Sequence, residues 1–95
     1  MYISINHWTF GVPVSTFKEG LEHDLVPQLK TMPGFKRMLF VQEGENKGAF
    51  VVVWESETAL KNAEPLLGQG WFGKVAFPNA AGQPMRGGGE LLVEG

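Results

Sequence analysis

Three consecutive residues near the start of the chain, Asn6, His7 and Trp8, are of types that act on a small organic ligand. The stretch from Tyr2 to Phe10 alternates with period two, as a strand does. Tyr2, Ser4, Asn6, Trp8 and Phe10 fall on one face; Ile3, Ile5, His7 and Thr9 fall on the other. An Asn inside a strand runs against β propensity and so wants a reason. Its amide and the Trp8 indole could donate hydrogen bonds to a bound carbonyl or enolate oxygen. The plainer reading bonds Asn6 to neighbouring backbone and makes Trp8 a packing residue. An imidazole titrates near neutrality, so His7 is a candidate general base and equally a satisfied core or interface residue. His23, beside Asp24 and off the apolar stripe of its helix, reads as solvated.

Trp54 ends the apolar run from Ala49 and should close one end of the core, a place that also suits substrate contact. Trp71 and Phe72 stand between Gly70 and Gly73. They read either as a mobile aromatic flap over a pocket or as part of a subunit interface. Arg86, just before Gly87-Gly88-Gly89, reads as a solvated loop charge that could swing over an anionic ligand. The glycine run itself lacks the Lys, hydroxyl and following helix of a phosphate-binding loop.

Composition removes whole classes of function. Eight basic and ten acidic residues are spread evenly, for a net charge of −2, without the basic patch of a nucleic-acid binder. With no Cys there is no disulfide framework, thiolate metal site or cysteine nucleophile. Two His without a suitably spaced carboxylate argue against a metal site. No apolar run reaches the roughly 20 residues that span a bilayer, and the N-terminus lacks the basic region of a secretory signal. A cytoplasmic location is expected. Ninety-five residues make one domain, 1–95, and three Trp with seven Phe are a large apolar load for it. Aromatics in that number point to a ligand pocket or a subunit interface, and dimerisation is the preferred account.

The elements that must position these residues can be read in order. After the first strand, Thr16-Phe17-Lys18-Glu19 has the form of a capping box. Phe17, Leu21, Leu25, Leu29 and Met32 then recur at helical spacing, with Pro27 expected to kink the helix and Pro33-Gly34 to end it. Strands are predicted over 36–43 and 49–54, joined by a hairpin loop over 44–48. A helix over 57–64 follows, with Ser56 as N-cap and Pro65 as its stop. Residues 66–89 read as a loop with one short helical turn, and 90–94 as the last strand. The order β-α-β-β-α-β is that of an α+β, ferredoxin-like unit.

Pro33-Gly34-Phe35 after the first helix and Trp54-Glu55-Ser56 entering the second, in this order of elements, resemble the antibiotic biosynthesis monooxygenase family. The resemblance covers about residues 2–64, and the last strand by topology. It implies that two chains pair their sheets into a dimeric α/β barrel, each keeping a pocket between sheet and helices. The family's haem-degrading branch is similar at Asn6, but its helix Trp and iron-ligating His fall near Ala63 and Gly73, where neither type is present. Haem degradation is therefore not expected. The polyketide-oxidising branch is similar at Trp54. Its partner Asn corresponds to Phe50, a departure, and its Arg falls near Lys74, which keeps the charge without the planar fork.

What the resemblance implies is a cofactor-independent monooxygenase, without metal, acting on an aromatic or polyketide-like hydrophobic molecule. Asn6 and Trp54, with His7 or Lys74, would polarise the substrate, while Trp8, Phe40, Trp71 and Phe72 would enclose it. A non-catalytic dimeric module that binds a small apolar ligand is the alternative. A cyclase or isomerase using His7 as base is a third.

Overall fold

The computed structural model covers residues 1–95. Its elements run β1 (Tyr2–Thr9), α1 (residues 14–30), β2 (Phe35–Gly44), β3 (Lys47–Trp54), α2 (Glu57–Gln69), α3 (residues 72–79) and β4 (Met85–Glu90). The strands form one antiparallel sheet in the order β2-β3-β1-β4. This is the α+β, ferredoxin-like arrangement that the pattern of elements predicts, with α3 added before the last strand.

The alternation of β1 has its expected result. Ser4, Trp8 and Phe10 are buried under the helices, whereas Ile5 and His7 point out of the other face. In β3 the same face carries Phe50, Val52 and Trp54, all buried. From the helix side, Phe17, Leu21, Leu25, Leu29 and Met32 all enter the core, as their spacing requires. Burying them and the aromatic residues removes a large apolar area from water, the main force holding sheet and helices together.

Several details depart from the sequence reading. The first helix starts before Thr16, as a 3-10 turn over Val14–Phe17 with Pro13 at its N-cap, and the Thr16 hydroxyl donates to the Pro13 carbonyl at 2.7 Å. Pro27 is absorbed by a wider π turn over Leu21–Leu25, after which it sits in the first turn of the resumed α-helix, where its missing N–H costs least. The hairpin is tighter than predicted: Gly44 and Gly48 belong to the strands and only Glu45 and Asn46 turn. Their carbonyls accept the backbone N–H groups of Val14 and Phe10, both at 2.8 Å.

Ser56 does cap α2, its Oγ accepting the Ala59 N–H at 3.1 Å. The helix then passes through Pro65 and ends at Gln69 rather than at residue 64, with the proline on its exposed side. Residues 72–79 are helical where a loop was expected. Trp71 explains the outcome, because it packs edge-on against Phe17 at 5.6 Å and Phe50 at 5.9 Å, and that packing overrides the low helix propensity of Gly73. The last strand is Met85–Glu90, not 90–94. The free edge of β1 provides ladder partners for all three glycines: Gly87 pairs with Ile5, Gly88 with Ser4 and Gly89 with Ile3.

Candidate functional site

Between the helix-facing side of the sheet and the helices lies a cavity of about 460 Å³. Its floor is β1, which contributes Tyr2, Ser4, Asn6 and Trp8, with Val52 and Trp54 beside it on β3. Its roof comes from Leu29 of α1, Leu60, Glu64 and Leu67 of α2, and Phe72 and Phe77 around α3. Arg86, Gly87 and Gly88 of β4 form one side. Trp8 packs against Phe72 at 5.9 Å and Phe77 at 4.9 Å, so that end of the cavity is walled by aromatic rings.

The polar groups on this wall have one property in common. None of the side chains of Tyr2, Ser4, Asn6, Trp8, Trp54, Glu64 or Arg86 makes a hydrogen bond or ion pair within the chain. The indole nitrogens of Trp8 and Trp54 are buried without any partner. A buried donor left unsatisfied costs about 1–3 kcal/mol, so groups that pack a core are normally bonded. Both tryptophans stand in the cavity wall, with their indole nitrogens just behind its surface rather than open to it.

The residues singled out from the sequence divide between this cavity and the rest of the molecule. Asn6, Trp8, Trp54 and Phe72 line it together. His7, one residue from Asn6, necessarily points through the other side of the sheet, where its Nδ1 lies 2.9 Å from Glu43 Oε1. Lys74 is exposed on α3 and outside the lining, and Trp71 is a core residue under α3 rather than a flap. Phe40 packs on Phe50 at 4.6 Å and faces a separate hollow between β2 and α1. No group of three or more His, Asp or Glu side chains is placed to hold a metal ion.

No family model and no curated protein matches the chain. Solved structures do match. SnoaB, a cofactor-independent oxygenase from Streptomyces nogalater, superposes with a TM-score of 0.79 over 98% of this chain and 94% of that one, at 14% identity. A Nitrosomonas europaea protein provisionally assigned as an antibiotic biosynthesis monooxygenase gives 0.78, covering 98% of this chain and all of its own length at 18% identity. The fold is that of the antibiotic biosynthesis monooxygenases. MhuD, a haem degrader from Mycobacterium tuberculosis with two haems bound in its active site, has the same fold at a TM-score of 0.70, covering 99% of this chain and 98% of its own at 22% identity. Sequence identities this low carry the monooxygenase fold without carrying any one reaction.

Four polar cavity-lining residues, Tyr2, Ser4, Glu64 and Arg86, are not among the site residues that the sequence points to. Tyr2 and Ser4 were legible, since period two puts them on the same face as Asn6 and Trp8. Glu64 is legible only in part: it stands four residues after Leu60 on the predicted helix, but Leu67 joins that face only because the helix continues through Pro65. Arg86 was read as a loop charge because nothing in Arg-Gly-Gly-Gly suggests a strand.

Proposed function

We propose that the chain is a small homodimeric monooxygenase that oxidises an aromatic or polyketide-like molecule without a cofactor. The observation that carries this reading is the aromatic-walled cavity whose polar side chains have no partner within the chain. An anthrone-type substrate illustrates the chemistry. Loss of a ring-methylene proton leaves an enolate; the Asn6 amide would donate to its oxygen, and so would the Trp54 indole N–H once a small rotation brings it to the cavity surface. Donors held in place in a water-poor site are worth far more than in water. The enolate then reduces O2 itself; one oxygen atom ends as the new carbonyl, and the other leaves as water with the two methylene hydrogens. Trp8 and Phe72 would hold the rings. SnoaB, an oxygenase of this fold that works without a cofactor, supports the same reading.

Haem degradation is poorly served by these residues. Neither His7 nor His23 lines the cavity, so no imidazole is there to ligate iron. A cyclase using His7 as base meets the same difficulty.

The test is oxygen uptake by purified protein with a panel of anthrones and quinols, beside Trp54→Phe. Uptake that needs the protein and falls at least about tenfold in the variant, the worth of one charge-assisted hydrogen bond, is the expected result. Tryptophan quenching by the same compounds without uptake would instead make this a binding module.

A further inference from the structure

Asn6 and Arg86 are register partners across the β1–β4 ladder, and both line the cavity. Directly opposed residues in an antiparallel pair share a face, with Cβ atoms about 4.5–5.5 Å apart. The guanidinium therefore emerges next to the Asn6 amide, on the same side of the sheet as Ser4 and Trp8. No carboxylate neutralises it, since the chain's two ion pairs are Met1–Glu90 and His7–Glu43.

The next residue of β4 on that face is Gly88, opposite Ser4. A Cβ there would lie 2.7 Å from the Ile3 carbonyl oxygen and 2.9 Å from the Tyr2 hydroxyl. That part of β4 must stay bare, so Arg86 is the one long side chain that β4 presents to the cavity. The remaining polar lining can donate, through the Asn6 amide and the Tyr2 and Ser4 hydroxyls, and holds a single carboxylate, that of Glu64. A wall of donors with a free guanidinium complements an oxygen-rich anion, and Arg binds a planar carboxylate with two parallel hydrogen bonds.

We propose that Arg86, with the Asn6 amide beside it, receives an anionic oxygen of the ligand, so that the cavity selects aromatic acids over their neutral analogues. The aromatic body of that ligand rests on the function proposed above; the charge preference rests on Arg86, Asn6 and Gly88.

Tryptophan fluorescence titration with an anthraquinone carboxylate and the matching neutral carboxamide tests it. The carboxylate should bind at least about tenfold more tightly. Its advantage should shrink as salt rises from about 20 to about 300 mM, because screening shortens the reach of an exposed charge. Arg86→Gln should abolish the difference and Arg86→Lys should keep part of it, while Glu64→Gln should strengthen binding of the carboxylate alone. Equal affinities for the two compounds in the unmodified protein, equal losses for both in Arg86→Gln, or failure of the carboxylate to bind would overturn the assignment. A carboxylate preference that survives while no anthrone consumes oxygen would instead sink the oxygenase and leave the subsite standing.

Discussion

Trp54 and Trp8 occupy positions where packing and function make opposite demands. Trp54 is 0% and Trp8 4% exposed, and both carry an N–H that no protein atom accepts. Truncating Trp54 to Ala would open a large cavity and cost about 3–5 kcal/mol, which says nothing about ligand binding. Phe keeps most of the ring and removes the unsatisfied donor, and relief of that donor's burial cost offsets the small cavity left by the missing ring atoms. Trp8→Phe should therefore leave the thermal midpoint unchanged or raise it, and weaken ligand binding about tenfold, the worth of one lost hydrogen bond. A midpoint that falls by several degrees would mean that the indole is there for packing alone. The neighbouring His7 makes the reverse case. Its pair with Glu43 is exposed, with side chains 48% and 38% accessible, and such pairs are worth about 0–1 kcal/mol. His7→Ala should change stability by less than that and leave oxygen uptake intact.

At the scale of elements, the joint between α1 and β2 sets how the helices sit over the cavity floor. Gly34 has φ +84°, and its carbonyl accepts the Glu55 N–H at 2.7 Å, tying the end of β3 to this turn. A Cβ on Gly34 would lie 2.6 Å from that of Ala59, at the start of α2. Gly34→Ala should thus cost more than 1 kcal/mol, through the left-handed backbone and the clash together, and lower the midpoint by roughly 4–8 °C or more. A loss as small as an ordinary surface change would show that α2 can shift away from the turn. This joint was legible in Pro33-Gly34, as was the α2 start in Ser56, because a turn and a cap are local chemistry. The helical 72–79 segment and β4 were not. Trp71 is ordered by Phe17 and Phe50, and the glycine strand by the edge of β1, so their causes lie elsewhere in the chain. The cavity divided the same way: its β1 floor follows from period two, whereas Arg86 needed the β4 register to bring it beside Asn6.

For the whole molecule, the helices cover only one side of the sheet. On the other side the register lines up Leu39, Val51, Ile5 and Gly87 in a row across all four strands, with Val41, Ala49, His7 and Met85 in the next. Leu39 is 45%, Val41 49% and Met85 73% exposed, a contiguous apolar surface rather than scattered side chains. Past β4, Leu92 and Val93 are also almost fully exposed. A face of this kind fits a second copy of the chain, since a symmetric dimer buries the same patch on both partners, typically about 800 Å² each. Sedimentation should accordingly give a dimer at micromolar concentration. Leu39→Lys combined with Ile5→Lys places four like charges within such an interface, and should yield a folded monomer with the same far-ultraviolet dichroism. The cavity lies under the opposite face, so the monomer should still quench with an aromatic ligand, and its oxygen uptake per chain would then test whether the partner is needed for turnover. A double variant that remains dimeric would mean that the copies meet through some other surface.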